Sequence, residues 1–342
     1  MPRMGELSLI RRFRARAPGH RWLKVGPGQD CAILDWPGGR DLAFKIDQVV
    51  EGTHFVLDGR EAASPFEVGC KAMAKACSDI AATGFWPVAA TAAVNLRRGT
   101  DENVALGVYE GLIAVCKRFS FALAGGDVST SRNGLSVVVS MLGEGPKGGA
   151  WLRKGAKPGD VLLVTGTLGG SWLTGKHLDF LPRLEEARLI RAKLGASVHA
   201  CIDITDGLSR DLRHICEESR CGAVVFEDRI PLANSTIFLQ NWKQCEARTS
   251  ASRKNCSYVR HSPKVKYDKN MASTYMALAD GEDFELLLVV EPKAAEKLVR
   301  YWRHPVPLTR IGFIRDRKEG CILISRDGTR NAMPKVGYEH RV

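Results

Sequence analysis

Six aspartates stand where apolar runs give way to glycine or hydroxyl residues: Asp30, Asp47, Asp79, Asp127, Asp203 and Asp206. Their contexts read Gly-Pro-Gly-Gln-Asp30, Lys-Ile-Asp47-Gln-Val-Val-Glu-Gly, Cys-Ser-Asp79-Ile-Ala-Ala, Ala-Gly-Gly-Asp127 and Ile-Asp203-Ile-Thr-Asp206-Gly-Leu. Magnesium prefers hard carboxylate oxygens, keeps several of its waters and bridges nucleotide phosphates. Separated carboxylates that converge on one place therefore suit magnesium-dependent phosphoryl transfer with more than one ion. Any one of these contexts alone is ordinary; the set is not.

The elements that must position them alternate between strand-like and helix-like runs, which predicts an α/β architecture. In Asp41-Leu-Ala-Phe-Lys-Ile-Asp47 the alternation puts Leu42, Phe44 and Ile46 on one face, expected to be the core, and Ala43, Lys45 and Asp47 on the other. On that reading Ile46 turns inward and the Lys45 ammonium joins the carboxylates. Ser64-Pro65-Phe66-Glu67 is a capping box with proline at the first helical position, so a helix runs to about Thr83. Asp79 falls near its C-terminal end, where a carboxylate opposes the helix dipole and calls for a cation. Lys75, four residues earlier, is the local candidate. A second helix is expected from Glu102 to Arg118, with Val104, Val108, Leu112 and Val115 as its stripe and Tyr109 beside it. The strand Phe121-Ala-Leu-Ala is expected to end in a Gly125-Gly126-Asp127 turn, and Gly143 to Gly149 to separate two domains, 1–145 and 146–342.

In the second half, a buried strand Val161 to Thr165 leads into a glycine-rich loop, Gly166 to Ser171. Gly170-Ser-Trp-Leu-Thr-Gly-Lys176-His177 nearly matches a P-loop but has His177 where a hydroxyl would hold magnesium, and bulky Trp172 and Leu173 in the anion nest. A P-loop NTPase is rejected on those residues. A strand ending at Asp203-Ile passes through Thr205-Asp206-Gly207 into an amphipathic helix; Asp206 serves there either as an N-cap or as a metal and phosphate group at a helix start. Gly281-Glu-Asp-Phe-Glu285 precedes the apolar strand Leu286 to Val290.

Composition narrows the function classes. Apolar content of 44% and charged content of 26% describe a globular chain with real cores. Arginines interrupt the apolar residues of the first 21 positions, which predicts no secretory signal, and no run reaches membrane-spanning length. The ten cysteines are scattered without a Cys-x-x-Cys and read as small buried hydrophobes, so a cytoplasmic location is expected. The net charge of +12 invites a nucleic-acid reading, but eight Lys/Arg against Glu246 and Asp268 lie between Asn234 and Met271, in a segment read as a basic insertion over about 234–276. The remainder forms no basic stripe interleaved with aromatics, which argues against nucleic acid as a partner.

Taken together, the motifs resemble the thiamine-monophosphate kinase family of the aminoimidazole ribonucleotide synthetase-like superfamily. The pieces are Gly26-Pro-Gly-Gln-Asp30, Asp47-Gln-Val-Val-Glu-Gly-Thr-His54-Phe55, Lys71-Ala-Met-Ala-Lys-Ala-Cys-Ser-Asp79-Ile-Ala-Ala, Gly125-Gly-Asp127, Arg153-Lys-Gly-Ala-Lys-Pro-Gly-Asp160, Asp203-Ile-Thr-Asp206-Gly-Leu, Gly281-Glu-Asp-Phe-Glu285 and Gly337-Tyr-Glu-His340. They follow the family's order. The resemblance implies a two-domain fold, an N-terminal α/β domain that dimerises plus a C-terminal α/β domain. It further implies Mg2+ and ATP, transfer of the γ-phosphoryl group to thiamine monophosphate, and a homodimer. Carried over by position, Asp30, Asp47, Asp79, Asp127, Asp203 and Asp206 would hold magnesium. Tyr109, Gly126, Asp127, Arg153 and Thr205 would meet the nucleotide, and His54, Glu282 and Tyr338 the thiamine substrate.

Four residues depart from the family. Gln29 stands where a first aspartate is usual, Lys45 and Ile46 where Ser/Thr-Thr precede the aspartate, and Thr205 where serine is usual. Two rival readings follow: another ATP-dependent enzyme of the superfamily, or a non-catalytic homologue.

Overall fold

The computed structural model describes residues 6–58, 62–233 and 269–338. Most of the expected basic insertion, and His340, lie outside the described residues.

The N-terminal half opens with helix α1 (Glu6–Arg16) and builds a six-stranded sheet. Its strands are β1 (Leu23–Val25), β2 (Ala32–Trp36), β3 (Arg40–Val50), β4 (Trp86–Arg97), β5 (Ala122–Ser131) and β6 (Ser136–Pro146), in the order β1-β2-β3-β6-β4-β5. Helices α2 (Pro65–Ala82) and α3 (Glu102–Phe119) cover one face. The capping box forms as the sequence requires: Glu67 N–H donates to Ser64 Oγ at 3.2 Å, and Ser64 N–H to Glu67 Oε2 at 2.7 Å. It fixes where α2 starts and so where Lys71, Lys75, Ser78 and Asp79 fall around the helix. These residues are packed between the sheet, α3 and the C-terminal half, and Lys71 and Asp79 are buried with the apolar ones.

Two expectations fail here. The period of β3 is right and its side is wrong: Phe44 and Ile46 are 46% and 65% exposed, while Asp41 and Ala43 are buried. The helix-covered face of β3 carries Asp41, Ala43, Lys45, Asp47 and Val49, and α2 supplies the Lys75 countercharge to Asp47. Ile46 therefore points to the open face of the sheet. Second, Gly125-Gly126-Asp127 is no turn but the middle of β5, which pairs in parallel with β4 as Gly126↔Ala92 and Asp127↔Ala93. Gly126 is required there for packing, since a Cβ would lie 2.1 Å from the Ala92 carbonyl oxygen. Strand β6 continues through Gly143 and Gly145 to Pro146, so the first sheet ends inside the 143–149 stretch.

The C-terminal half is a seven-stranded sheet. Its strands are β7 (Val161–Thr165), β8 (Val198–Ile204), β9 (Gly222–Phe226), β10 (Glu285–Val290), β11 (Leu308–Arg315), β12 (Cys321–Ile324) and β13 (Arg330–Ala332), ordered β13-β12-β9-β11-β7-β10-β8. Helices α4 (Ser171–Thr174), α5 (Leu184–Leu194), α6 (Leu208–Ser219), α7 (Lys269–Ala279) and α8 (Pro292–Arg300) complete it. Strands β7 and β10 are buried throughout, which explains their unbroken apolar runs. Helix α7 begins inside the expected insertion and carries buried Ala277 and Leu278 in the same core as Leu208 and Leu212 of α6. The sequence from 269 onward therefore belongs to the domain. Among the described residues no helix is long and apolar enough to cross a membrane.

Candidate active site

Where the two halves meet, a cavity of about 200 Å³ is bounded by β3, α2, the end of β8 and the loop before β10. Asp79 on α2 and Asp203 on β8 reach it beside Asp30, and one oxygen of each of these three lies within 4.8 Å of the others. All three are at most 5% exposed. Each meets a different protein donor. Lys45 Nζ donates to Asp79 Oδ1 at 2.8 Å, Ser78 Oγ to Asp203 Oδ2 at 2.6 Å, and Arg153 Nε to Asp30 Oδ1 at 2.9 Å. Burial pushes the Asp203 carboxyl up to about 6, with the Asp30 charge adding to it. Asp79 is raised well above the usual carboxylate range, first by burial and then by Asp203, Asp47 and Asp30, against the pull of Lys45. Lys45 stays protonated in spite of its burial because Asp79 and Asp47 hold its charge.

Asp47 lies beside this group on the same strand face as Lys45, as the alternation requires. Its Oδ1 is 3.1 Å from Lys75 Nζ, which together with Lys45 keeps it ionised although it is half-buried. The expected Lys75–Asp79 pair does not form; Lys75 serves Asp47, and the cation of Asp79 comes from Lys45, thirty-four residues away in sequence. Gln29, one of the departures, accepts the Arg153 backbone N–H at 2.7 Å and so helps to hold the arginine that faces Asp30.

Thr205, Asp206 and Gly207 link β8 to α6. Asp206 is not the N-cap: that position is Gly207, and no side chain caps the helix. Asp211, buried in the first turn, instead accepts the backbone N–H groups of Thr205 and Asp206 at 3.0 Å each. This leaves the Asp206 carboxylate at the cavity, 3.3 Å from Arg210 Nε.

The opposite wall is built from the loop 281–284. Glu282 and Phe284 both adopt left-handed backbone, φ 65° and 51°, which costs on the order of 1 kcal/mol or more per residue. The surroundings hold it there. Glu282 N–H donates to Thr205 O at 2.8 Å and Phe284 N–H to Ile204 O at 2.9 Å, and the Phe284 ring stacks on Phe180 at 3.7 Å. Gly281 permits this approach, since a Cβ would sit 2.4 Å from Thr205 O. The loop thus sends Glu282 into the cavity, while Asp283 and Glu285 turn into the C-terminal core. Tyr338 N–H donates to Asp206 O at 2.9 Å, and His54, buried, completes the same end of the cavity.

Ten of the sequence-identified residues are therefore gathered within one chain: Asp30, Asp47, Asp79, Asp203, Asp206, Arg153, Thr205, His54, Glu282 and Tyr338. Tyr109, Gly126 and Asp127 are not among them. By the register Asp127↔Ala93↔Val138↔Gln48, Asp127 shares the open sheet face with Ile46, opposite Lys45 and Asp47, and Tyr109 is 52% exposed on α3.

Two further residues, one behind the cavity and one lining it, carry no sequence signal for a role there. Lys71 is fully buried and spans the halves, donating to His54 O at 2.6 Å and Glu282 Oε2 at 2.9 Å, with burial lowering its pKa to about 8. Trp172, from the rejected P-loop, lines the wall, stacked on His177 at 4.0 Å with Lys71 Nζ 5.4 Å from its ring centre.

Residues 28–144 match the N-terminal domain of the AIR synthase related proteins and residues 157–323 the C-terminal domain. The thiamine-monophosphate kinase of Rhodopirellula baltica is 35% identical over 90% of this chain and 88% of its own length. The crystal structure of the thiamine-monophosphate kinase from Stenotrophomonas maltophilia K279a superposes with a TM-score of 0.65 at 27% identity, covering 95% of this chain and 98% of that one. The structure of AaThiL complexed with AMPPCP and TMP has the same fold, with a TM-score of 0.75 at 23% identity over 98% of this chain and 97% of that one.

Proposed function

This chain belongs to the AIR synthase related family, within the thiamine-monophosphate kinases, and on that premise we propose that it transfers the γ-phosphoryl group of ATP to thiamine monophosphate, giving thiamine diphosphate and ADP. The observation that carries the reading is the buried Asp30–Asp79–Asp203 group with more negative charge than its partners offset. An all-carboxylate oxygen set of this kind fits a hard divalent cation, and magnesium is assigned to it, with Asp47 and Asp206 at its margin and Asp127 retained from the family pattern. When bound, magnesium supplies charge neutralisation between the donor and acceptor phosphates and aligns them for in-line transfer.

The chain's own residues do the rest. The acceptor is a phosphate already ionised at neutral pH, so no general base is needed and no residue is assigned as one. Repulsion between two anions held 4 Å apart is roughly 4 kcal/mol per charge pair at an effective dielectric of about 20. Arg153 and Thr205, whose N–H is fixed by Asp211, meet the nucleotide phosphates. Glu282, kept at the cavity by its strained loop, faces the positively charged thiazolium ring, and the aromatic faces of Tyr338 and Trp172 flank it. His54 closes that end.

The open sheet face with Phe44 and Ile46 supports a homodimer, since an uncovered apolar sheet face is ordinarily buried. In this reading Tyr109, Gly126 and Asp127 reach a nucleotide only in the paired assembly. Sedimentation of the protein as a monomer at micromolar concentration would remove that part. The reaction belongs to the cytoplasm, where ATP and the monophosphate ester meet. The activity is tested by offering ATP and magnesium with thiamine monophosphate, thiamine and simple carboxylates in turn. Product from the monophosphate alone is expected; turnover with a carboxylate and none with the monophosphate would favour an acyl-phosphate enzyme instead.

A further inference from the structure

We propose that Lys45 is a built-in cation of the carboxylate group: its ammonium holds a position against Asp79 that a divalent ion takes when the side chain is neutral. The inference rests on the assignment of a divalent ion to this group and goes beyond it, because it concerns how many ions this chain admits.

Four carboxylates face one another here, and three of them have a protein cation: Arg153 on Asp30, Lys75 on Asp47 and Lys45 on Asp79. Among the described residues Asp203 is hydrogen-bonded to the Ser78 hydroxyl, and the charges of Lys45 and Arg153 reach it only from a distance. Lys45 therefore bears on the one neighbour, Asp79, whose loss of its cation would leave two adjoining buried carboxylates with no cation in hydrogen-bond contact. Two such groups within 4.8 Å are what a divalent ion bridges. The lysine is held in place by more than its charge. It sits in the interior of β3, paired with Met141 of β6, with the side chain 22% exposed and its Nζ at 2.8 Å from Asp79 and 3.9 Å from Asp47. An ammonium on a strand with neighbours on both sides cannot diffuse away as a free ion does, so it competes with a divalent cation at every concentration. Electrostatically it supplies one charge where a divalent ion would supply two.

The test is a titration of the full-length protein with Mn2+ in the absence of nucleotide, reading free Mn2+ by its paramagnetic resonance signal. Lys45→Met keeps the length of the side chain and removes the charge; Lys45→Gln serves if the Met variant does not fold. Either is expected to bind one more Mn2+ per chain than the wild type, at a half-saturation at least about tenfold below any weak binding the wild type has in that range. Lys45→Arg, which keeps the cation, should titrate like the wild type. Unchanged stoichiometry and affinity in the neutral variants, or an Arg variant that gains the ion as well, would overturn the proposal, as would the absence of Mn2+ binding in all of these proteins. If no thiamine diphosphate is ever formed but the neutral variant gains its ion, the substrate reading fails and the role of Lys45 stands.

Discussion

The Glu285 cluster of the C-terminal sheet and the Asp30–Asp79–Asp203 group at the cavity are both buried and both anionic, yet only the first is electrically complete. Glu285 accepts from Arg183 Nε and Nη2 at 2.6 Å each, from Lys176 at 2.8 Å and from Thr165 Oγ1 at 2.8 Å. Those partners keep it ionised below its ordinary range despite complete burial. Asp79 and Asp203, with one lysine and one hydroxyl between them, are pushed the other way. The near-P-loop lysine, Lys176, thus belongs to the satisfied cluster, where it fixes the loop that carries Glu282. A completed ion network holds structure in place, and an incomplete one leaves a demand that a mobile cation can meet.

The sharpest way to break this distinction is to neutralise one carboxylate of each cluster. Asp203→Asn is expected to lower phosphoryl transfer at least a hundredfold, the order found for removal of a transition-state charge partner. It should leave the melting temperature of the ligand-free protein unchanged or higher, because a crowded carboxylate is relieved. Activity near the wild type at saturating magnesium would remove Asp203 from the cation site. Glu285→Gln should do the reverse to stability. It strands Arg183 and Lys176 without their countercharge, at about 3 to 5 kcal/mol. A denaturant midpoint equal to the wild type would mean that this network is no more complete than the other.

How much of this the sequence carries depends on the range of each interaction. The gathered carboxylates were legible because each sits at a strand or helix end in a short recognisable context, and the capping box placed Asp79 on α2 to the residue. The side of β3 was not legible. Alternation fixes which residues share a face but not which face is covered, and here the covered face holds Ala43, Lys45 and Asp47 because α2 lies against it. Lys75 was read with Asp79 because i to i+4 pairs are local; the pairing with Asp47 depends on how helix and strand pack. Helix α7 was hidden by its polar composition up to Ser273, while the apolar residues that anchor it on α6 come only at its end. Lys71 gave no signal because its two partners, His54 and Glu282, come from opposite halves of the chain.

A smaller effect sharpens the comparison within the C-terminal network. Asp283, which accepts from Gly169 N–H and Ser171 Oγ, is raised by burial to about 6, although Lys176 opposes the shift. The native state then keeps a proton between about pH 4 and pH 6 that the unfolded chain has lost. Stability from this group is therefore greatest below about pH 4 and falls as the pH rises to about 6, by about 3 kcal/mol in total. Denaturation of wild type and Asp283→Asn across that range should give a difference with that slope; a flat difference would mean that Asp283 titrates normally.

The smallest expected change concerns Lys71, which acts on the substrate end through Glu282 and His54 without lining the carboxylate group. Lys71→Met should raise KM for thiamine monophosphate about tenfold and leave KM for ATP within about twofold, since roughly one ion-pair interaction is lost. Equal changes in both would point to a general loosening of the interface between the halves.

The most direct test of the whole account is phosphorus NMR of the protein with ATP and thiamine monophosphate, recorded before and after magnesium is added. The account predicts no reaction without the metal, and then the resonances of thiamine diphosphate and ADP rising together in equal amounts. ADP accompanied only by inorganic phosphate, or thiamine diphosphate formed without a divalent ion, would contradict it.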